Sequence, residues 1–402
     1  MSNAAPPPGR PRLGALLVRA GKLTEEGLKE ALEAQVIHGG RLGTNLLELG
    51  LLDEQTLAAA LGKQLGVQHA AGKMAPDPRA LALVSAKDAD EWDLLPMRVD
   101  PTRLSVAVLD PSDLGRLDAL AFKTGRRVVP VVVAEFRMHQ LLRAHCDAFR
   151  PLRALDLEGP RRRDVPGAES QAAPELTSEE EFQALYAKAI TGGGGALAGS
   201  LPPEEILEGK PLPPATVPAA APSPLPPAPA SSPPPRAPAP TPLSFQDAHA
   251  QLAASDDREA IARTVLRFAV GKWKRALLLS VQRDYVLGWH GLGEGIQEDA
   301  VHRIAVPLRP GNTFRLVRDT RAHFVGPLKR DAATLVFARL LGGGFPTTAV
   351  MLPLLVRGKV VHLLYVDDGP DQLTAPDVGE LLILSQRVAR SYELLIQQRA
   401  RG

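Results

Sequence analysis

One cysteine in 402 residues, Cys146, is the first scarcity in this chain. It excludes an internal disulfide and any multi-cysteine metal site, and it fits a reducing, cytoplasmic setting. Charge of one sign is lacking too. Lys and Arg number 47 against 45 Asp and Glu, a formal net charge of +2, so composition gives no argument for nucleic acid or for an anionic membrane surface. Long apolar runs are missing: TAVMLPLLVRGKVVHLLYV is broken by Arg357, Gly358 and Lys359 and predicts a β-hairpin, with no membrane insertion. The start, MSNAAPPPGRPR, is polar and proline-rich without the apolar core of a signal peptide. No GxxxxGK[ST] occurs, and the glycine clusters TGGGGALAGS and LGGGFPTT lack the lysine that reaches phosphates; they predict turns. No Ser-His-Asp or Cys-His set has a supporting context, so no catalytic residue and no enzyme activity is expected. The histidines of the C-terminal half, His249, His290, His302, His323 and His362, show no ligand-like spacing, and no metal is expected.

Proline is abundant instead, and unevenly placed. Seventeen of the 38 prolines fall between Leu201 and Leu243, which predicts a disordered Pro/Ala-rich linker over 151–243. Inside it, TSEEEFQALYAKAI suggests a helix at 177–190, either transient or docking, and Arg161-Arg162-Arg163 reads as solvated linker charge. The fold class expected is multidomain α/β. A disordered tail spans 1–9, a helical repeat bundle 10–69, a small α/β unit 70–150, and an α+β domain 244–402. In the small unit, RLSVAVLD and RRVVPVVVA predict strands, SDLGRLDALAFKTG a helix closed by Gly125, and Glu135–Cys146 a last helix. Asp110-Pro111 and Asp113 read as turn formers rather than an acid pair. Cys146 and the three tryptophans read as packing residues. In the C-terminal part, DREAIARTVLRFAVGKW predicts a helix, RALLLSVQRDYVLGWHG a strand, and Ala375 to about Gln398 a long helix. Joined only by the linker, the two ends are expected to tumble nearly independently.

The strongest pattern is a repeat. RLGALLVRAGKLTEEGLKEALEAQ (Arg12–Gln35) returns 29 positions on as RLGTNLLELGLLDEQTLAAALGKQ (Arg41–Gln64), with VIHGG between. Gly21 and Gly50 suit C-caps, Thr24 and Asp53 suit N-caps. Polar residues, Arg12/Arg41 and Gln35/Gln64, repeat along with the leucines, which a core alone does not require. Arginine offers a planar fork for phosphate oxygens or a guanine edge. Glycine lets a ligand approach the backbone, and glutamine carries both donor and acceptor. Such a duplicated set suits a two-fold ligand with two phosphates and two bases. The other reading is a structural repeat whose arginines cap helices or pair with Glu33 or Glu48.

The pattern RLGxxLxxxGxxxxxxLxxxLxxQ, present twice, resembles the N-terminal domain of type II secretion and type IV pilus assembly ATPases, most closely the MshEN type that binds cyclic di-GMP. The matching positions are Arg12, Leu13, Gly14, Leu17, Gly21, Leu28, Leu32 and Gln35, then Arg41, Leu42, Gly43, Leu46, Gly50, Leu57, Leu61 and Gln64. Position four of each copy is Ala15 and Thr44, where relatives often carry an acid. The likeness continues through LLPMRVD and TGRRVVPVVVAE, to about residue 146. It implies these sixteen residues as ligand-binding, with cyclic di-GMP as ligand and no cofactor. It further implies a non-enzymatic receptor or adaptor in secretion, pilus or motility control. The alternative is a scaffold docking on a secretion or pilus machinery protein without nucleotide. Residues 244–402 resemble a GAF domain, through the helix–strand opening, the PLLVRGKVVHLLYVDD hairpin and the long last helix. That resemblance implies a homodimer or partner-binding role through the C-terminal domain.

Overall fold

The computed structural model describes residues 11–158 and 241–401. The expected tail at 1–9, most of the linker, the arginine run and the helix at 177–190 lie outside these residues.

The repeat folds as two helix pairs: α1 (Leu13–Arg19) with α2 (Glu25–His38), and α3 (Leu42–Glu48) with α4 (Glu54–Leu65). Each long helix starts on the expected cap, Thr24 accepting from the Gly27 amide and Asp53 from the Thr56 amide. Each short helix ends two residues before its glycine. The Gly21 and Gly50 amides donate to Val18 and Leu47, and the next amides donate to Leu17 and Leu46. This paired closure needs a left-handed residue, supplied by Gly21 at φ +63° and Gly50 at φ +67°.

The chain then gives β1 (Gln68–His69), α5 (Pro78–Leu81), α6 (Ala86–Glu91), β2 (Leu94–Val99), β3 (Arg103–Val108), α7 (Leu114–Thr124), β4 (Arg127–Val132), α8 (Glu135–Cys146) and α9 (Ala154–Glu158). The sheet order is β1-β4-β3-β2, with β4 parallel to both β1 and β3 and β2 antiparallel to β3. Gly125 closes α7 in the left-handed region, as expected.

The C-terminal part holds α10 (Phe245–Ala254), α11 (Arg258–Ala269), β5 (Arg275–Gln282), β6 (Tyr285–Gly293), α12 (Glu298–Val301), β7 (Ala305–Pro307), α13 (Thr313–Thr320), β8 (Phe324–Gly326), α14 (Ala332–Leu340), β9 (Ala349–Val356), β10 (Lys359–Asp367) and α15 (Gly379–Arg401). Its six strands form an antiparallel sheet in the order β7-β6-β5-β10-β9-β8. The stretch expected as one strand is a hairpin: Arg283, at φ +53°, turns β5 into β6. The last helix begins at Gly379 rather than Ala375, because Pro376 holds the residue before it out of helical geometry.

Two expectations are overturned. The linker does not begin at 151: Leu152, Leu155 and Leu157 are buried, and Arg153 forms an ion pair with Glu48. Nor are the two ends independent, since their described residues belong to one compact unit. Ile37, from the spacer between the repeats, is buried in the C-terminal core with Leu252, Val265, Leu384 and Tyr392. Leu152 and Leu157 pack with Tyr285, Leu287 and Ala305. Arg357 pairs with Glu33. Arg283 donates to the Glu48 and Leu47 carbonyls at 2.9 and 3.0 Å, capping the C-terminus of α3.

Two histidines sit in this junction. The His362 ring stacks on Trp289 at 4.7 Å, with Tyr392 Oη 3.0 Å from its Nε2. His38 Nδ1 lies 3.0 Å from Ser280 Oγ. Burial, then the Arg153 and Arg258 guanidinium groups, lower the His38 pKa to about 3. Burial, then His38 and Arg258, hold His362 well below the usual histidine value. Below about pH 6.5 the unfolded chain therefore binds protons that the folded one refuses, so stability is full above that value and falls as pH drops. Each refused proton costs up to about 1.4 kcal/mol per pH unit. The urea midpoint is expected to be level from pH 8 to 7 and to fall between 6.5 and 5, with a shallower fall in His362→Gln. An equal midpoint at pH 7 and 5 would contradict this.

Candidate functional site

The two copies of the repeat clasp each other. Gln35 Nε2 donates to the Gly40 carbonyl at 2.9 Å, and Gln64 Nε2 donates to the Pro11 carbonyl at 2.9 Å. Gly40 precedes Arg41 and Pro11 precedes Arg12, so each copy's glutamine fixes the peptide leading into the other copy's arginine. Arg12 and Arg41 are the N-caps of α1 and α3, exposed and in extended conformation. Neither side chain caps its own helix, and neither helix has an acid in its first turn. Each copy thus joins a guanidinium to the positive end of a helix, a combination that attracts an anion.

The other motif positions divide. Leu13, Leu28, Leu32, Leu42 and Leu61 are half-buried and keep surface that can cover a base. Leu17, Leu46 and Leu57 are core residues, at most 2% exposed. Gly14 and Gly43 were expected to admit a ligand, yet they are buried beneath the leucines of the following helix. A Cβ on Gly14 would meet Leu28 Cδ1 at 2.5 Å, and one on Gly43 would meet Leu57 at 3.0 Å. What approaches each glycine in this structure is a leucine.

The copies also differ. The Glu135 carboxylate accepts from the Arg41 amide at 2.9 Å and from Thr44 Oγ1 at 2.8 Å, with the Arg41 guanidinium 3.7 Å away. A remote residue therefore brings an acid to the position-four threonine. Glu33 and Glu48, weighed as partners for the motif arginines, pair instead with Arg357 and Arg153. Arg41 also reaches the Leu109 carbonyl at 3.4 Å and lines a small cavity of about 170 Å³ with Trp92, Asp110, Asp113 and Arg116. Asp110 and Asp113 serve the turn there, Asp113 capping α7. Burial raises the pKa of the Cys146 thiol, with Asp90 and Asp147 adding to the rise, so it is a poor nucleophile. Nothing in the sequence pointed to Glu135, 94 positions from Arg41. Nor did spacing reveal that His290, Glu298 and His302 converge.

Residues 69–151 match the family described as the MshEN domain. That match covers the small α/β sheet with α8, and the duplicated motif at 12–64 precedes it. The type IV pilus assembly ATPase PilB of Myxococcus xanthus is 33% identical over 132 residues, 33% of this chain and 23% of that protein. The chain thus spans under a quarter of that relative's length. A solved structure described as MshE with cdg is 30% identical, with 34% of this chain and 99% of that one covered and a TM-score of 0.28. The C-terminal sheet resembles GAF-like folds; one such structure, the GAF-B domain of DevS from Mycobacterium smegmatis, is 17% identical, covering 36% of this chain and all of that one, at a TM-score of 0.29. Among the described residues, no helix is long and apolar enough to cross a membrane.

The reciprocal clasp makes a crossed prediction. Gln64→Ala should speed amide hydrogen exchange in the first turn of α1, and Gln35→Ala at Gly40 and Arg41, each for a net loss of about 1 kcal/mol. Exchange that rises evenly across both copies in either variant would show that the clasp fixes nothing locally.

Proposed function

We propose that the N-terminal half is a cyclic di-GMP-binding module and that the protein is a non-enzymatic receptor or adaptor acting in secretion, pilus or motility control. The observation that carries this reading is the pair of arginines at two clasped helix N-termini, adjoining an MshEN domain. Arg12 and Arg41 would bind the phosphates and guanine edges, and the half-buried leucines would cover the bases. The glutamines would hold the entering peptides rather than read bases. Gly14, Gly21, Gly43 and Gly50 would serve by shaping the helices, and Leu17, Leu46 and Leu57 by supporting them.

A second reading, docking on secretion or pilus machinery without nucleotide, is favoured by the Glu135 carboxylate already seated at the N-terminus of α3. Pairing through the C-terminal domain belongs to either reading, although α2 covers part of α15.

Calorimetric titration of cyclic di-GMP into the full chain separates the two. On the first reading binding is saturable, and Arg12→Ala and Arg41→Ala each weaken it about 10- to 100-fold, the worth of a hydrogen bond to a charged group. Saturable binding unweakened in the double variant removes the assigned roles. No heat and no thermal shift favours docking.

A further inference from the structure

Outside the repeat, three side chains from β6 and α12 converge on one point. His290 lies on β6, Glu298 opens α12, and His302 follows its last residue. Each offers one ligand atom, and these atoms all lie within 4.8 Å of one another. His290 Nδ1 is 3.4 Å from Glu298 Oε1, and His302 Nε2 is 3.7 Å from that same oxygen. Two ligands held about 2.0–2.1 Å from one tetrahedral ion stand roughly 3.4 Å apart. The spacing is therefore close to a coordination sphere before any ion is placed.

The surroundings fix the rings for that use. Glu259, on α11, lies 2.5 Å from His290 Nε2, placed to accept a hydrogen bond there while Nδ1 faces the Glu298 carboxylate. Arg258 pairs with Glu259 at 2.9 Å and holds its carboxylate beside the ring. His302 is held beside the Phe149 ring, and its Nδ1 is buried without a hydrogen-bond partner. Glu298 is exposed and gives the ion a path in.

We propose that His290, Glu298 and His302 bind a divalent transition-metal ion of the zinc class, with Glu259 orienting His290 from outside the coordination sphere. Two imidazoles and one carboxylate suit zinc, cobalt, nickel or iron(II) over magnesium or calcium. Water completes the sphere.

The test is a titration of Co(II), followed by Zn(II) competition, into untagged full-length protein stripped with a chelator. One equivalent of Co(II) should give visible d–d bands that zinc abolishes. Glu298→Gln and His302→Ala should weaken binding about 100-fold or more, and Glu259→Gln roughly 10- to 100-fold, as outer partners of ligating histidines do. Wild-type protein without saturable binding overturns the proposal, and so does stoichiometric binding that survives His302→Ala. Should His302→Ala not match the wild-type circular dichroism in the metal-free state, the exposed Glu298→Gln decides, and unchanged affinity there overturns the site.

Discussion

Ile37 belongs to the spacer between two copies of an N-terminal motif, yet its side chain is buried in the core of the C-terminal half. That burial is the contact on which the arrangement depends. Removing one isoleucine side chain from water is worth about 1.5–3 kcal/mol. This is little against a whole fold but sufficient to fix where a five-residue spacer goes. Once Ile37 is seated, His38 lies against Ser280, and Gly39 lies where any Cβ would collide with the Arg258 guanidinium. Gly39 and Gly40, at φ +70° and +72°, then turn the chain into Arg41. The direction in which the second copy starts is thus set from the other half of the protein.

The same constraint explains why two copies of one motif have different surroundings. A seven-residue helix is too short to persist on its own, and α3 is secured at both ends by side chains from elsewhere. The Glu135 carboxylate sits at its N-terminus and the Arg283 guanidinium at its C-terminus, each of the sign that the helix dipole favours. Leu46 and Leu47 are fully buried, whereas Val18 in the first copy is only half-buried. The first copy has the same caps, the same glycine closure and the same glutamine clasp. It therefore gives the plainer view of what the motif alone specifies.

Much of this was legible in the sequence, and the limit has a physical cause. Thr24, Asp53, Gly125 and the Arg357-Gly358 turn announce themselves because caps and turns are local chemistry. Helix α8 was bounded to the residue, and the repeat, the small sheet and the last hairpin were all visible. Periodicity shows that a face is covered without showing by what. Val36 and Ile37 fall beyond the Leu28–Leu32–Gln35 face of α2, so they read as spacer rather than as an interface. The short polar Arg283-Asp284 turn was hidden between two apolar strands, and with it the capping arginine. Glu135 with Arg41, and His290 with His302, are pairings made by the fold at separations no spacing rule covers. Among the motif residues, the spacing of Gly14 and Gly43 could not show that leucines of the following helices lie over them.

Arg258 is the residue through which these features meet. It pairs with Glu259, lies over the Trp289 ring at 4.9 Å, and reaches the Ile37 carbonyl at 3.5 Å beside Gly39. Along the spacer, successive residues are held by different elements: Ile37 by the C-terminal core, Gly40 by Gln35, and Arg41 by Glu135. A chain held at each residue cannot move Arg41 alone. Any anion that draws the arginine away from Glu135 must either leave the spacer where it is or loosen its seat in the C-terminal core. Only the second case couples the halves, because a ligand shifts an equilibrium solely by its difference in affinity for the two states. That coupling acts equally in both directions: whatever tightens the spacer against Arg258 would change anion affinity at Arg41 by the same factor that the anion changes the packing.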